Sequence, residues 1–307
     1  MKKTISILLL FSFLLILLCN PILTVQSAAD GLTLWYQQIL PALLPFAILS
    51  DVLIASNAFL LIARYTYPLV HLILPCSPNG TFPLAAGYLF GFPMGSRICA
   101  QMVTTGRLSV EEASVIFVVS NNISPIFIAS YVVHERIGND ALLLPAFAAL
   151  YLPPLIYGRI CYRRIRTEGR HKETASRLKF NFSIVDAGIM NSFEILCKLG
   201  GYIMLFGIIT GILIHYGTYS LFRPIMGVLS ILLEITNGIA LLTDICLAPQ
   251  LEYSLIIALT AFGGICGIAQ TYAMVSQAAL PMRRYISAKM ILAVISGIIA
   301  YLTYPVL

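Results

Sequence analysis

The chain has 307 residues, of which 59% are hydrophobic and only 10% are charged, whereas about a quarter of the residues in soluble domains are charged. This composition argues against a water-soluble enzyme and indicates an integral membrane protein of several helices. The formal net charge of +6 does not indicate nucleic-acid binding, because residues 159–179 alone hold eight Lys and Arg against two Glu. A basic loop beside apolar spans is typical of the cytoplasmic side, where the bilayer's anionic lipids are its partner.

The N-terminal residues 1–30 contain Lys2 and Lys3, an apolar run up to Cys19, and then Asn20 and Pro21. This pattern fits either a transmembrane helix that acts as a signal anchor or a cleavable signal peptide. We favour the retained helix, since the apolar residues continue through Leu23.

Eight further apolar stretches follow along the chain. They are 36–61, 83–103, 112–133, 141–159, 197–216, 225–247, 252–277 and 289–306. If all of them crossed the membrane, the basic loops would fall on alternating sides, against the positive-inside tendency. We therefore predict that 83–103 and 225–247, which are interrupted by helix-weakening residues, are re-entrant hairpins. This leaves seven transmembrane helices, a cytoplasmic N-terminus and fifteen Lys and Arg on the cytoplasmic side, Lys289 among them.

The predicted fold is an all-α polytopic membrane protein built as an inverted repeat. Both repeats begin with an amphipathic approach at the headgroup level, at Leu34–Gln38 and at Ile184–Glu194. Inverted repeats with broken helices are typical of secondary transporters. The predicted parts are the N-terminal segment 1–30, the first repeat 31–140 with hairpin 83–103, a connecting transmembrane helix and basic loop 141–182, the second repeat 183–280 with hairpin 225–247, and the C-terminal transmembrane helix 281–307.

The first hairpin carries a candidate anion site. Gly91, Pro93 and Gly95 predict a broken helix whose free backbone groups need a partner, and Ser96 with Arg97 follow directly. Arg97 could hold a carboxylate with two hydrogen bonds. The alternative is a tight packing turn, with Arg97 reaching out to lipid headgroups.

The apolar stretch 112–133 contains a polar interruption of Ser120, Asn121, Asn122, Ser124 and Pro125. Unsatisfied polar groups in hydrocarbon cost several kcal/mol each, so these side chains must face protein or a wet cavity. Two interpretations stay open, namely the lining of a site and hydrogen bonds between helices.

The second hairpin contributes Glu234, Thr236, Asn237 and Gly238. A carboxylate in a membrane segment is a functional candidate for proton or cation coupling, or as an ion-pair partner of Arg97. The alternative is a helix cap. Gln270, on the small-residue stretch that begins at Gly263, could reach the same cavity. Asp51 is a possible proton site for which the sequence identifies no partner.

In this order, these motifs resemble the sporulation integral membrane protein YlbJ (SpoVV) family, which belongs to the nucleoside-recognition or gate group and is similar to parts of concentrative nucleoside transporters. The segments that carry the resemblance are Leu40–Phe46, Gly91–Arg97, Ser120–Phe127, Glu234–Gly238 and Phe262–Gly264, together with Gln270. The resemblance implies a role in the mother-cell membrane that becomes the outer forespore membrane, and the movement of dipicolinic acid, a small aromatic dicarboxylate. The family commonly has Lys where this chain has Arg97.

We therefore expect a permease for a small organic anion that works by alternating access and uses a coupling ion. Arg97 and Ser96 would bind a carboxylate, Asn121, Asn122 and Ser124 would line the cavity, and Glu234 would balance charge. The rivals are a non-transporting scaffold for spore assembly and a nucleoside-type transporter. A homo-oligomer or a sporulation protein partner is compatible with the sequence. We expect no enzyme activity, metal or cofactor, since the sequence contains no nucleophile-base pair and no metal motif.

Overall fold

The computed structural model describes residues 2–163, 178, 180–218, 223–245 and 247–305, and this part of the chain is helical without strands. Most of the predicted basic loop, 164–177 and 179, lies outside the described residues. Within the described part, six helices are long and apolar enough to cross a membrane: Pro21–Ala55, Val110–Ile137, Asp140–Tyr162, Phe182–Gly217, Pro249–Ala278 and Met282–Thr303. The polytopic all-α class predicted from composition is confirmed.

The first long helix begins earlier than predicted. Helix α1 (Lys2–Cys19) ends at Asn20, and α2 (Pro21–Leu34) continues through a π-helical turn into α3 (Leu40–Ala55). The wide turn at Trp35–Ile39 lies where Pro41 deprives a preceding carbonyl of its donor, which explains why the helix widens there rather than stops. Leu34–Gln38, predicted as an approach at the headgroup level, are continuous with the following span in one helix of 35 residues.

A second long helix packs against the first. Helix α10 (Phe182–Thr218) joins the predicted approach and the predicted span into one element of 37 residues. Trp35 fastens the two helices, since its indole Nε1 donates to the carbonyl of Leu196 at 2.8 Å and its ring covers Gly200. At about 1.5 Å per residue, each long helix exceeds the roughly 30 Å of a hydrocarbon core and must extend beyond it.

The first hairpin consists of α5 (Pro78–Phe90) and α6 (Met94–Thr104), after helix α4 (Phe59–Ile73). Its two ends lie together, because the Asn79 amide donates to the carbonyl of Arg107 at 2.9 Å. The Ser77 backbone N–H donates to Glu112 Oε1 at 2.6 Å, which ties the start of α5 to the start of α7 (Val110–Ser120). At about 1.5 Å per residue, the arms of 13 and 11 residues are each shorter than the roughly 30 Å of a hydrocarbon core, and they pack against each other.

The second hairpin is shorter and equally tight. Helices α11 (Arg223–Leu233) and α12 (Ile235–Thr243) meet at Glu234. A Cβ on Gly238 would collide with the carbonyl of Ile231, so only glycine lets the second arm lie this close to the first.

Broken helices follow both hairpins. Helix α7 ends at Ser120, and the chain is extended until α8 (Pro125–Phe127) continues as a π-helical segment, Ile128–Ile137. In the second half, α13 (Pro249–Phe262) breaks at Gly263, before α14 (Gly264–Val275). Helices α9 (Leu143–Tyr162) and α15 (Met282–Thr303) complete the described fold.

The contacts between the halves are reciprocal. The second arm of the first hairpin, α6, packs on α14, while the second arm of the second hairpin, α12, packs on the π-helical continuation of α8. Each hairpin also packs its own arms together and touches the broken helix of its own half. The second arms of the two hairpins therefore make corresponding contacts with the broken helix of the other half.

Candidate functional site

The tip of the first hairpin lies directly on the break of α7. Gly91 has φ +76°, and a Cβ at this position would collide with the backbone nitrogen of Ser124. Phe92 donates its N–H to the carbonyl of Asn122 at 2.6 Å. Pro93 is buried and caps α6, so that Gly91 and Pro93 shape the tip and contribute no hydrogen-bonding side chain.

The polar interruption 120–125 holds the break open. The Asn121 amide nitrogen donates to Thr271 Oγ1 at 3.0 Å and to the Tyr285 hydroxyl at 2.7 Å. Ser124 Oγ accepts from the N–H of Phe127 at 3.3 Å and so caps the continuing helix, in which Pro125 occupies the first turn. The break thus joins α7 to α14 and α15.

Asn122 brings a residue into the site that the sequence reading missed. Its Oδ1 accepts from Lys289 Nζ at 3.2 Å, and its amide nitrogen donates to the carbonyl of Val119 at 2.6 Å. Lys289 is only 4% exposed, so its predicted position facing the cytoplasm is wrong. No carboxylate of a described residue forms an ion pair with it. A signal was present, since Lys289 lies more than one helical turn beyond Arg283 and Arg284, inside the apolar run.

The second hairpin places Glu234 as a cap of its own helix. The two carboxylate oxygens accept from the backbone N–H groups of Thr236 at 3.1 Å and Asn237 at 2.9 Å, and the Thr236 hydroxyl also contacts the carboxylate. The Asn237 side chain is exposed, and Gly238 serves the close packing of the hairpin. The prediction of Glu234 as a partner of Arg97 is therefore wrong, because its carboxylate is occupied at the helix start.

Gln270 is buried but points along its own helix. Its Nε2 lies 3.1 Å from the sulfur of Cys266, one turn earlier in α14. This contact is therefore within α14 and not with the second hairpin.

The two tips and two breaks nevertheless meet. Gly264 lies against Glu234, since a Cβ at Gly264 would be 3.5 Å from the Cα of Glu234. One turn further, a Cβ at Gly267 would be 3.6 Å from the Phe92 ring. The Tyr131 hydroxyl donates to the carbonyl of Thr236 at 2.8 Å, which joins the first broken helix to the second hairpin. We call residues 91–93, 121–124, 234–236 and 263–264, with Lys289, the break cluster.

Four helices begin at the break cluster, namely α6, α8, α12 and α14. Helix starts present backbone N–H groups and a partial positive charge. Only the start of α12 carries a carboxylate in the described structure, that of Glu234. Glu234 and Lys289 contribute one formal charge of each sign, and the carboxylate of Glu234 is bonded at its own helix start. The other three helix starts and Lys289 suit a small anion.

Arg97 lies outside this cluster. Its Nη2 donates to Asp51 Oδ2 at 2.5 Å and to Ser192 Oγ at 3.2 Å, which joins α6 to α3 and α10. Gly95 and Cys99 of the same helix contact Ser120, and residues two positions away lie on the opposite face. The expected common pocket of Arg97 and the Asn121–Ser124 break is therefore wrong. Ser96 donates to the carbonyl of Pro93 at 2.7 Å, inside its own turn.

Comparison with known proteins gives one informative relationship. The chain is 25% identical over 340 aligned residues to the sporulation integral membrane protein YlbJ of Bacillus subtilis (strain 168), covering 98% of this chain and 83% of that protein. No family model matches the chain, and no solved structure matches it. The relationship extends over the whole described fold.

Proposed function

Since the chain is similar over 98% of its length to the sporulation integral membrane protein YlbJ of Bacillus subtilis, we propose that it belongs to the same family and is a permease that moves a small organic anion across a membrane of the sporulating cell. The anion we propose is dipicolinate, and the membrane is the mother-cell membrane that becomes the outer forespore membrane. The N-terminus would face the mother-cell cytoplasm.

The observation that carries the proposal is Lys289. A buried cation without a carboxylate partner is costly, and ionisable residues inside membrane segments mark ion or substrate pathways. Lys289 touches Asn122 at the point where a transmembrane helix is unwound. A scaffold has no need of such a group, whereas an anion carrier needs a cation that stays unpaired until its ligand arrives.

The arrangement around Lys289 supports alternating access. The two hairpins and two broken helices pack reciprocally, so that the two halves can rock against each other about the break cluster. Phe92, half-buried at the hairpin tip, provides a ring surface on which an aromatic acid could stack.

The test is uptake of radiolabelled dipicolinate into liposomes that contain the purified protein, with uridine as a competitor. We expect uptake that dipicolinate saturates and uridine leaves unchanged. Lys289→Met should abolish uptake, and the matched control Lys198→Met should not, because Lys198 is exposed and pairs with Glu194.

Two results would contradict the proposal. Uptake that uridine abolishes would favour a nucleoside-type transporter. Absence of any uptake by the folded protein, together with mislocalised sporulation proteins in cells that lack it, would favour the scaffold.

A further inference from the structure

A second polar feature lies away from the break cluster. A cleft of about 240 Å³ runs between α3, α6 and the first turns of α10. Asp51 is the one charged residue among its described wall residues, and apart from Ile184 the others have small or amide side chains. The polar members of the wall are Asp51, Gln101, Asn181, Ser183 and Asn191. The volume is somewhat below the roughly 300 Å³ at which drug-sized pockets begin, so the cleft suits a small ligand.

Arg97 lies directly behind Asp51, and its pairing is incomplete. Only Nη2 is bonded, to Asp51 and Ser192, while Nη1 is buried and has no hydrogen-bond partner in the described structure. The Oε1 of Gln101, in the cleft wall, is also buried and unpartnered. A guanidinium offers parallel donors that a single carboxylate can take with both oxygens. Asp51 therefore fills only one of the two donor positions that a free carboxylate would fill.

We propose that the cleft is the loading site for one carboxylate of the transported anion, which replaces Asp51 on Arg97 while Asp51 takes up a proton from water in the cleft. The inference rests on the proposed function and adds the coupling ion to it. The exchange balances charge, since the proton neutralises Asp51 as the negative charge of the substrate arrives on Arg97.

Because both side chains are buried, the substrate carboxylate can bind Arg97 only when Asp51 is protonated. Asp51 is 4% and Arg97 5% exposed, and a buried charge that loses its partner is strongly destabilising. Asp51 can leave Arg97 only if another carboxylate takes its place, and it can remain in the cleft without Arg97 only as the neutral acid. Arg97 is the charged group that contacts Asp51 in the described structure, and the neutral partners of Asp51 are Ser192 of α10 and Gln101 of α6. One proton therefore enters with each carboxylate.

The experiment measures the KM for dipicolinate uptake into liposomes that contain the protein. The pH is varied on the side of the membrane to which the cleft opens. For the wild-type protein, linkage of one proton to one carboxylate predicts a KM that rises about tenfold per pH unit above the titration of Asp51. Asp51→Asn should flatten this dependence and lower net uptake, yet retain exchange of labelled for unlabelled dipicolinate, because exchange requires no proton release. Asp186→Asn, an exposed carboxylate at the start of α10, is the matched control and should keep the wild-type slope.

Gln101→Leu keeps both charged residues and removes an amide that lines the cleft and bonds to Asp51, so it should raise KM several-fold even if Asp51→Asn does not fold. An unchanged KM in Gln101→Leu, a wild-type pH slope in Asp51→Asn, or loss of exchange in folded Asp51→Asn would each overturn the inference. Uptake by the wild-type protein with a flat pH profile would overturn the proton exchange alone. Absence of uptake by the wild type would overturn the proposed permease function itself.

Discussion

Replacement of Lys289 by Met should abolish transport and leave the protein as stable as before or more stable. An unpaired ammonium inside a protein costs several kcal/mol even after relaxation. Against this stand one charged hydrogen bond to Asn122, worth about 1.5–3 kcal/mol, and a contact with the Tyr285 ring at 5.9 Å, worth about 0.5–1 kcal/mol. Met fills a similar volume and removes the charge. We expect a gain of about 1–3 kcal/mol in the free energy of unfolding.

The effect on transport should have the opposite sign. Loss of one partner in a buried charge pair costs about 2–5 kcal/mol of binding free energy, so that uptake measured as kcat/KM should fall at least about thirtyfold. Lys289→Arg keeps the charge and should retain part of the uptake. Unfolding of the purified protein in detergent by denaturant titration gives the stability, and liposome uptake gives the transport. A variant that loses about 2 kcal/mol or more of stability, or one that transports normally, would refute the functional role of this lysine.

Three further predictions concern the helix packing, the cap at Glu234 and the first hairpin. Gly95→Ala should destabilise the protein by about 1–3 kcal/mol, because its Cβ would collide with the carbonyl of Ser120, whereas Gly201→Ala, with open space around it, should be neutral or stabilising; thermal unfolding in detergent compares the two. Glu234→Ala should cost about 0.5–2 kcal/mol through loss of the cap, and Glu234→Gln should keep both stability and uptake, so that a stable Gln variant without uptake would restore the coupling role. Cysteines introduced just before α5 and just after α6 should react with an impermeant thiol reagent from the same side of the membrane, and labelling from opposite sides would contradict the hairpin.

Much of the fold could be predicted because backbone chemistry is local. Glycine, proline and asparagine weaken a helix, and the breaks at 91–93 and 121–124 contain these residues. In the second hairpin the break falls at Glu234 instead, and Asn237 and Gly238 lie inside α12. The long helices were harder to predict. A stretch such as Leu34–Gln38 is amphipathic enough to lie at a membrane surface, yet it packs on α10 as part of a long helix. The residue of α10 that Trp35 contacts is more than 150 positions away in the chain.

The sequence identified the polar residues and the helix breaks, but it predicted the wrong contacts between them. Sequence spacing shows that Gly95 and Arg97 lie on opposite faces of one helix, but not which face meets which neighbour. The partner of Arg97 is Asp51, a residue 46 positions earlier in the chain. Lys289 was counted with the basic residues of a loop, because the positive-inside tendency describes loops and helix ends and carries no information on a side chain that turns into the bundle.

Helix α6 stands between the two polar features and connects them mechanically. On one face, Gly95 packs so closely on the carbonyl of Ser120 that the first hairpin and α7 must move as a single body. On the other face, the contact with α3 and α10 includes the Arg97–Asp51 pair, whose strength changes when a proton or a carboxylate arrives. Closely packed interfaces resist displacement, whereas a polar pair has two discrete arrangements. If the halves rock, the sliding surface should therefore be the Arg97 face, and loading at the cleft would bias the same body that carries the hairpin tip at the break cluster.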